Sequence, residues 1–342
     1  MKVSSKVSSN KTVLQDRNNE KLAEQIRKYA LVFIMILMCV VFAFASPTFR
    51  KLGNVINIFR QSSINGILAV GMTLVIIIAG IDLSIGPLCA ISGVVAALWL
   101  EAHPDSVAMA IILGILSAGL MSVWTALLVA NLGVAPFIAT LSTMSAAKGI
   151  VLVVADGVPH TIKNKIFTAI GNGYLWDYTK TNRISIPIPV IVLVVVILLA
   201  TFILYKTRFG RYIYAVGGNE NAAIAAGINV KRVKFCTYVL NGLLCGVAGI
   251  VLASRITSGQ PTAADGYEMD AITAVIVGGT SMTGGEGTII GTLVGTLIVG
   301  IINNALNLFG VNADWQDVAR GLVIFVAVML DAAKHKLAVN KK

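Results

Sequence analysis

Residues 63–100 read SINGILAVGMTLVIIIAGIDLSIGPLCAISGVVAALWL. Two apolar runs, 63–80 and 83–100, are parted only by the Ile81-Asp82 step, and Asp82 is the one charged side chain in the stretch. Each run approaches the roughly 20 apolar residues that a helix needs to cross the hydrocarbon core. Neither carries the charged face that a helix on a soluble core would present to water. The rest of the chain has the same character. Of 342 residues 56% are apolar and 13% charged, with a mean hydropathy of +0.84. Soluble domains are about 25% charged. The length would allow two soluble domains, but this composition cannot cover them with charge. It describes an integral membrane protein.

Working outward, ten candidate spans appear: 29–45, 63–80, 83–100, 106–130, 132–154, 187–205, 235–254, 268–283, 288–308 and 318–332. The eighth is the weakest, because Gly278-Gly279 follow a short apolar run; it reads as complete, broken or re-entrant. The formal net charge of +11 is concentrated. Residues 1–28 hold seven Lys/Arg against three acids, 206–234 hold six against Glu220, and 334–342 hold four Lys and no acid. Basic segments beside apolar spans mark the cytoplasmic side. Ten spans put all three on that side. The expected organisation is a basic cytoplasmic tail over 1–28, a transmembrane region over 29–332 with a cytoplasmic loop at 206–234, and a basic cytoplasmic tail over 333–342. The 46–62 loop, with Arg50, Lys51 and Arg60, would face outward against this bias. The loop 156–186 mixes turn residues with Trp176 and Tyr178 and reads as short structure at the outer interface.

The charge pattern excludes a nucleic-acid protein, whose basic residues would line a folded polar patch. Cys39, Cys89, Cys236 and Cys245 lie in apolar runs, and His103, His160 and His335 are scattered, so no metal set is visible. No phosphate-binding Gly-x-x-x-x-Gly-Lys-Ser/Thr loop, nucleophile elbow or catalytic triad occurs, so the chain cannot hydrolyse ATP by itself and no cofactor is implied. Any ATP-driven motor is a separate polypeptide.

Polar groups inside spans are the pathway and gating candidates. Asp82, with Ser84, either caps the third helix or lines a route. Gln61 and Asn65 sit one turn apart on the second span, and Asn303 and Asn307 share a face of the ninth. Such amides suit an uncharged polar solute and suit interhelical bonding equally. Gly242-x-x-x-Gly246, Gly249 and Gly291-x-x-x-Gly295 are small-residue faces, for packing within one subunit or between two.

In the 206–234 loop, Gly217-Gly218 makes a turn and Asn219 is an N-cap. Glu220 suits a first helical turn, Ala222 and Ala223 favour helix, and Gly227 ends it. The result is a helix of about two turns, too short to stand without a partner.

Three stretches carry a family resemblance. They are Gly210-Arg211-Tyr212-Ile213-Tyr214-Ala215-Val216-Gly217-Gly218-Asn219-Glu220 with Ala226-Gly227-Ile228-Asn229-Val230, then Gln61–Gly66 through Gly80–Gly86, and finally Gln260–Ala263 through Gly278–Gly287. Together they resemble the monosaccharide permeases of bacterial ABC importers, nearest the ribose branch, over about residues 30–332. The resemblance implies the membrane subunit of an importer in the bacterial cytoplasmic membrane, acting as a homodimer with the pathway between its copies. It implies a cytoplasmic ABC ATPase docked on Gly218, Asn219, Glu220, Asn221, Ala222, Ala223, Ala226 and Gly227, and an extracytoplasmic sugar-binding protein. The fold implied is all-α, about ten transmembrane helices, like the permeases of vitamin B12 and siderophore importers. Asp82–Gly86 and Gly278–Gly287 look alike, without matching a simple inverted repeat of the halves. Ribose leads as solute, with allose, xylose, galactose and polyols open. The rivals are a branched-chain amino-acid ABC permease, an ion-coupled secondary transporter, and an intramembrane enzyme, which would need convergent catalytic groups at depth.

Overall fold

The computed structural model describes residues 31–176 and 185–339. The tail expected over 1–28 and Tyr178 lie outside them. Helix α1, Leu31–Ala45, belongs to a compact unit ending at Pro47; the second unit runs from Thr48 to Lys342. The second unit contains α2 (Leu52–Ile77), α3 (Ile85–Ala102), α4 (Val107–Ala130), α5 (Pro136–Val154), α6 (Lys165–Asn172) and α7 (Ile188–Lys206). Then come α8 (Arg208–Gly218), α9 (Glu220–Ala225), α10 (Val230–Ile256), α11 (Tyr267–Val277), α12 (Ile289–Leu308) and α13 (Ala313–Val339). Two strands of two residues, β1 (His160–Thr161) and β2 (Ser258–Gly259), pair antiparallel with His160 opposite Gly259. Apart from this ribbon and an isolated bridge between Tyr174 and Pro187, the regular structure among the described residues is helical, as expected of an all-α chain.

Helix starts follow local chemistry. Asn164, Thr207, Asn219, Asn229 and Thr288 each accept a backbone N–H of the turn they open. Pro136 and Pro189 occupy first turns, where a missing N–H costs nothing.

Among the described residues, α2, α3, α4, α5, α7, α10 and α12 are long and apolar enough to cross a membrane. The chain is thus a polytopic helical membrane protein. α2 is its axis: every residue from Ser62 to Ile77 is buried. A helix apolar all round belongs inside such a bundle. α4 and α7 instead expose Leu120, Trp124, Leu198 and Phe202, as lipid-facing helices do.

Three expected boundaries change. The loop expected at 46–62 is helical from Leu52, so Arg60 sits on α2, where its guanidinium lies 4.8 Å over the Tyr174 ring. That cation–π stacking gives the charge a place at the α6 end. The eighth expected span, 268–283, stops at Val277 and residues 278–288 return without helix. It is a broken helix. The 206–234 loop holds two helices and the first turn of α10.

The small-residue faces pack within the chain. A Cβ on Gly246 would stand 2.7 Å from the Cα of Ile115 on α4, and one on Gly249 would stand 2.8 Å from the Cβ of Ser92 on α3. Ser92 Oγ donates to the Gly246 carbonyl at 2.8 Å across the same contact. Gly295 lies against the Ala274 carbonyl, joining α12 to α11. Overfilling such a seam costs about 1–3 kcal/mol. Gly246→Leu is therefore expected to lower the thermal midpoint of the detergent-solubilised protein, whereas Gly149→Ala, with nothing within 4 Å of its Cβ, leaves it unchanged.

Candidate coupling and translocation sites

The turn expected at Gly217-Gly218 is not there: both glycines close α8, and the chain breaks at the extended Asn219, which opens the short helix α9 as its residue type requires. Asn219 Oδ1 accepts the Ala222 N–H at 2.9 Å. At the other end Gly227 adopts φ +78°, and the Ile228 N–H reaches back to the Ala223 carbonyl at 3.0 Å. That left-handed closure favours glycine. Lys234 Nζ donates to both oxygens of Glu220 at 2.8 Å, tying α9 to α10. Ala223 is the buried residue of α9; Asn221, Ala222, Ala226 and Gly227 face outward. Ile224 is 56% exposed, an apolar side chain on a polar face.

α8 connects this helix to the bundle. Tyr214 Oη donates to the Gly287 carbonyl at 2.7 Å. Burial, then the neighbouring Tyr205, push the Tyr214 phenol up, so it remains a neutral donor. Gly217 is pressed against the end of α2: a Cβ there would overlap the Ile77 carbonyl and lie 2.6 Å from the Gly285 N. Gly285 N–H donates to that same Ile77 carbonyl at 2.8 Å. Three backbones, the end of α2, the end of α8 and the 278–288 return, meet at one point with no side chain between them.

Asp82 has exposure 0%. Its Oδ1 accepts the Ser84 N–H at 2.9 Å and the Ser84 hydroxyl at 2.6 Å, and its Oδ2 accepts Asn241 Nδ2 at 2.8 Å. The carboxylate closes the α2–α3 reversal and fastens it to α10. Ser84 belongs to the same knot.

The other candidates gather elsewhere. Asp270, 2% exposed on the first turn of α11, accepts Asn65 Nδ2 at 3.2 Å and Asn303 Nδ2 at 3.1 Å on its Oδ2. Arg320 Nε of α13 lies 3.0 Å from its Oδ1. Four helices thus converge on one carboxylate. Asn307, one turn beyond Asn303, accepts Gln316 Nε2 at 3.0 Å and links α12 to α13. Gln61 stays half-buried on α2 and joins neither group. The sequence pattern does not single out Arg320 or Asn241. A lone arginine in an apolar run was the available signal for Arg320; Asn241 has none. Asn304 and Asn54 also pair reciprocally, at 2.9 Å in each direction.

Comparison with known proteins agrees with this architecture. The family model described as "Branched-chain amino acid transport system / permease component" matches residues 54–328. The chain belongs to this permease family. The ribose import permease protein RbsC of Bacillus subtilis (strain 168) is 42% identical over 302 residues, 88% of this chain and 91% of its own. The ribose import permease protein RbsC of Escherichia coli (strain K12) is 43% identical over 309 residues, 90% and 94% of the two chains. The D-allose transport system permease protein AlsC of Escherichia coli (strain K12) is 37% identical over 308 residues, 89% and 91%. No solved structure matches. The permease is a transport subunit of an ABC importer rather than an enzyme, and a multi-pass protein of the inner membrane.

In this permease the glycine junction separates two neighbouring positions sharply. Gly217→Ala must displace the Ile77 carbonyl or the Gly285 amide, whereas a Cβ on Gly218 meets nothing within 4 Å. Gly217→Ala is expected to lose about 1–3 kcal/mol of stability, the cost of overpacking. Thermal unfolding in detergent should show a lowered midpoint for Gly217→Ala and none for Gly218→Ala.

Proposed function

We propose that the permease imports a monosaccharide, with D-ribose the leading solute and allose, xylose, galactose or a polyol next. The observation that carries this reading is the agreement of sugar-named relatives at 37–43% identity over about nine tenths of both chains. The family description names branched-chain amino acids instead.

The broken α11 supplies the eighth of ten membrane elements, with α1 as the first and α13 as the tenth. The arrangement is of the vitamin B12 importer type. Both termini and α8–α9 lie in the cytoplasm, and the 156–186 and 255–267 loops lie outside. Two copies form the working unit in the lipid, with the route between them. A cytoplasmic ATPase docks on Gly218 to Gly227, and a sugar-binding protein docks outside. The basic segments 1–28, 206–234 and 333–342 support this orientation. Asn65, Asn303 and Asn307 belong to the route, with Gln61 at its edge, while Asp82 and Ser84 hold the reversal that frames it.

The mechanism follows from the junction at Ile77. The motor closes on ATP and moves α9, which a single extended residue, Asn219, joins to α8. α8 then bears on the ends of α2 and the broken helix together. A two-state rearrangement needs such a rigid lever against a bistable element.

Glu220 is half exposed, so its pairing with Lys234 contributes only about 0–1 kcal/mol. Loss of transport in Glu220→Ala would therefore report coupling, not unfolding. With the ATPase and binding protein in proteoliposomes, the wild type is expected to take up D-ribose only with ATP. Glu220→Ala and Ile224→Asp should insert normally, and uptake should fall at least about tenfold, the effect of losing about 1.4 kcal/mol of docking energy. Unchanged uptake in both, or ribose uptake without the ATPase, would overturn the reading.

A further inference from the structure

The exposed face of α5 differs from those of α4 and α7. α4 exposes Ile112, Leu116, Leu120 and Trp124, and α7 exposes Val195, Leu198, Leu199 and Phe202, as suits lipid. On α5 the exposed residues include Ser142, Ser145 and Lys148, spaced three apart along one side of the helix. Lys148 is the one charged residue of α5 and sits about 9 Å inside its end at Val154. Its Nζ lies 3.1 Å from Asp265 Oδ1, and both side chains are half exposed. Charges within a span are costly in lipid and face the bundle interior or a water-filled cavity. Half-exposed groups do not lie in the interior of this chain.

The segment that carries Asp265 meets the same constraint on separate grounds. Residues 260–266, between β2 and α11, are not helical. A Cβ on Gly259 would stand 2.6 Å from the Cβ of Ala97, and one on Gly86 would stand 2.7 Å from the Ala264 carbonyl oxygen. Ala97 and Gly86 are three turns apart on the membrane-spanning α3, about 16 Å along its axis. The chain from Gly259 to Ala264 therefore runs beside α3 through much of the thickness of the bilayer without forming a helix. Pro261 and Ala264 are buried, whereas Gln260, Thr262 and Asp265 are exposed. Non-helical backbone at membrane depth is tolerated only where protein buries it or water fills the space beside it.

We propose that α5 and residues 260–266 form one wall of a water-filled route for the solute, with Ser142, Ser145, Thr262 and the Lys148–Asp265 pair facing it. This rests on the transport reading above for what travels there. Lipid suits neither element. A dry contact between two copies would bury the ion pair, and the desolvation penalty of doing so can exceed the Coulombic gain. Water beside the wall keeps both charges solvated and supplies the exposed backbone with hydrogen bonds. Hydroxyls together with one internally neutral ion pair offer donors and acceptors to a neutral, polyhydroxylated solute and no net charge to hold an ion. Such a surface lets cargo pass without binding it tightly.

The test uses single cysteines, Ser145→Cys and Thr262→Cys on the wall and Leu120→Cys and Leu198→Cys on the lipid faces of α4 and α7. Each is carried with Cys39→Ala, Cys89→Ala, Cys236→Ala and Cys245→Ala, in proteoliposomes holding the ATPase and the binding protein. The probe is a charged, membrane-impermeant thiosulfonate added to both sides of the bilayer. The wall positions are expected to react at least about tenfold faster than the lipid positions, because the thiolate that reacts forms in water. Modification of either wall position should remove most ATP-driven D-ribose uptake, and modification conditions should leave uptake by the Leu120→Cys and Leu198→Cys proteins unchanged. Wall positions that react no faster than Leu120→Cys would show a face sealed by lipid or by a second copy, and the proposal would fall. It would fall equally if they react and uptake persists, since the water there would then lie outside the route. Ser145 and Thr262 stand on separate elements, so either variant carries the test if the other does not insert. Uptake of L-leucine in place of ribose, blocked by the same labelling, would overturn the sugar reading and leave the wall standing.

Discussion

Inside a bilayer a backbone N–H or C=O that leaves its helix needs another partner, and this constraint governs the molecule. The chain breaks helices at two places in its apolar bundle, after Ile77 and after Val277. Both breaks use the same closure. Ala79 and Gly80 N–H groups return to Ile76 and Val75, and Gly279 and Thr280 N–H groups return to Ile276 and Val275. The left-handed residues are Ala79, at φ +57°, and Gly279, at φ +90°. Neither closure uses the Ile77 carbonyl, and Gly285 of the second return supplies its N–H. Each break is therefore stable partly because the other is present.

That mutual dependence explains why α8 arrives where it does. Only a glycine leaves room for a third backbone at this meeting point, and Gly217 is that residue. A displacement of α8 acts directly on main chain at the ends of two helices, with no flexible side chain to absorb it. Packed helices respond to such displacement by switching between discrete arrangements more than by bending. The end of α8, the end of α2 and the 278–288 segment thus meet through main chain alone.

The two described buried aspartates show how the same residue type is given different work. Asp82 is surrounded by donors that belong to the fold: Ser84 beside it and Asn241 across from it. Its bonds fix a chain reversal. Asp270 faces a guanidinium that is shared with an exposed carboxylate. Removing one member of such a buried pair would cost about 3–5 kcal/mol.

Much was legible from the residues alone. Unbroken apolar runs such as 63–80 determine a membrane helix, because length and hydropathy are local quantities. Asn219 and Gly227 bound α9 because capping is decided within one turn of chain. The Gly278-Gly279 pair marked the weak point where α11 stops. Other features needed the tertiary structure. The Arg60 guanidinium finds its place over the ring of Tyr174, far along the chain. The small-residue faces seat α3, α4 and α11 of the same chain, a choice that spacing leaves open. Asn65 and Asn303 converge on Asp270 and Arg320 only through the crossing of four helices. Polar side chains in a span announce that a partner is required, since lipid supplies none; which partner they find is fixed by how the helices pack.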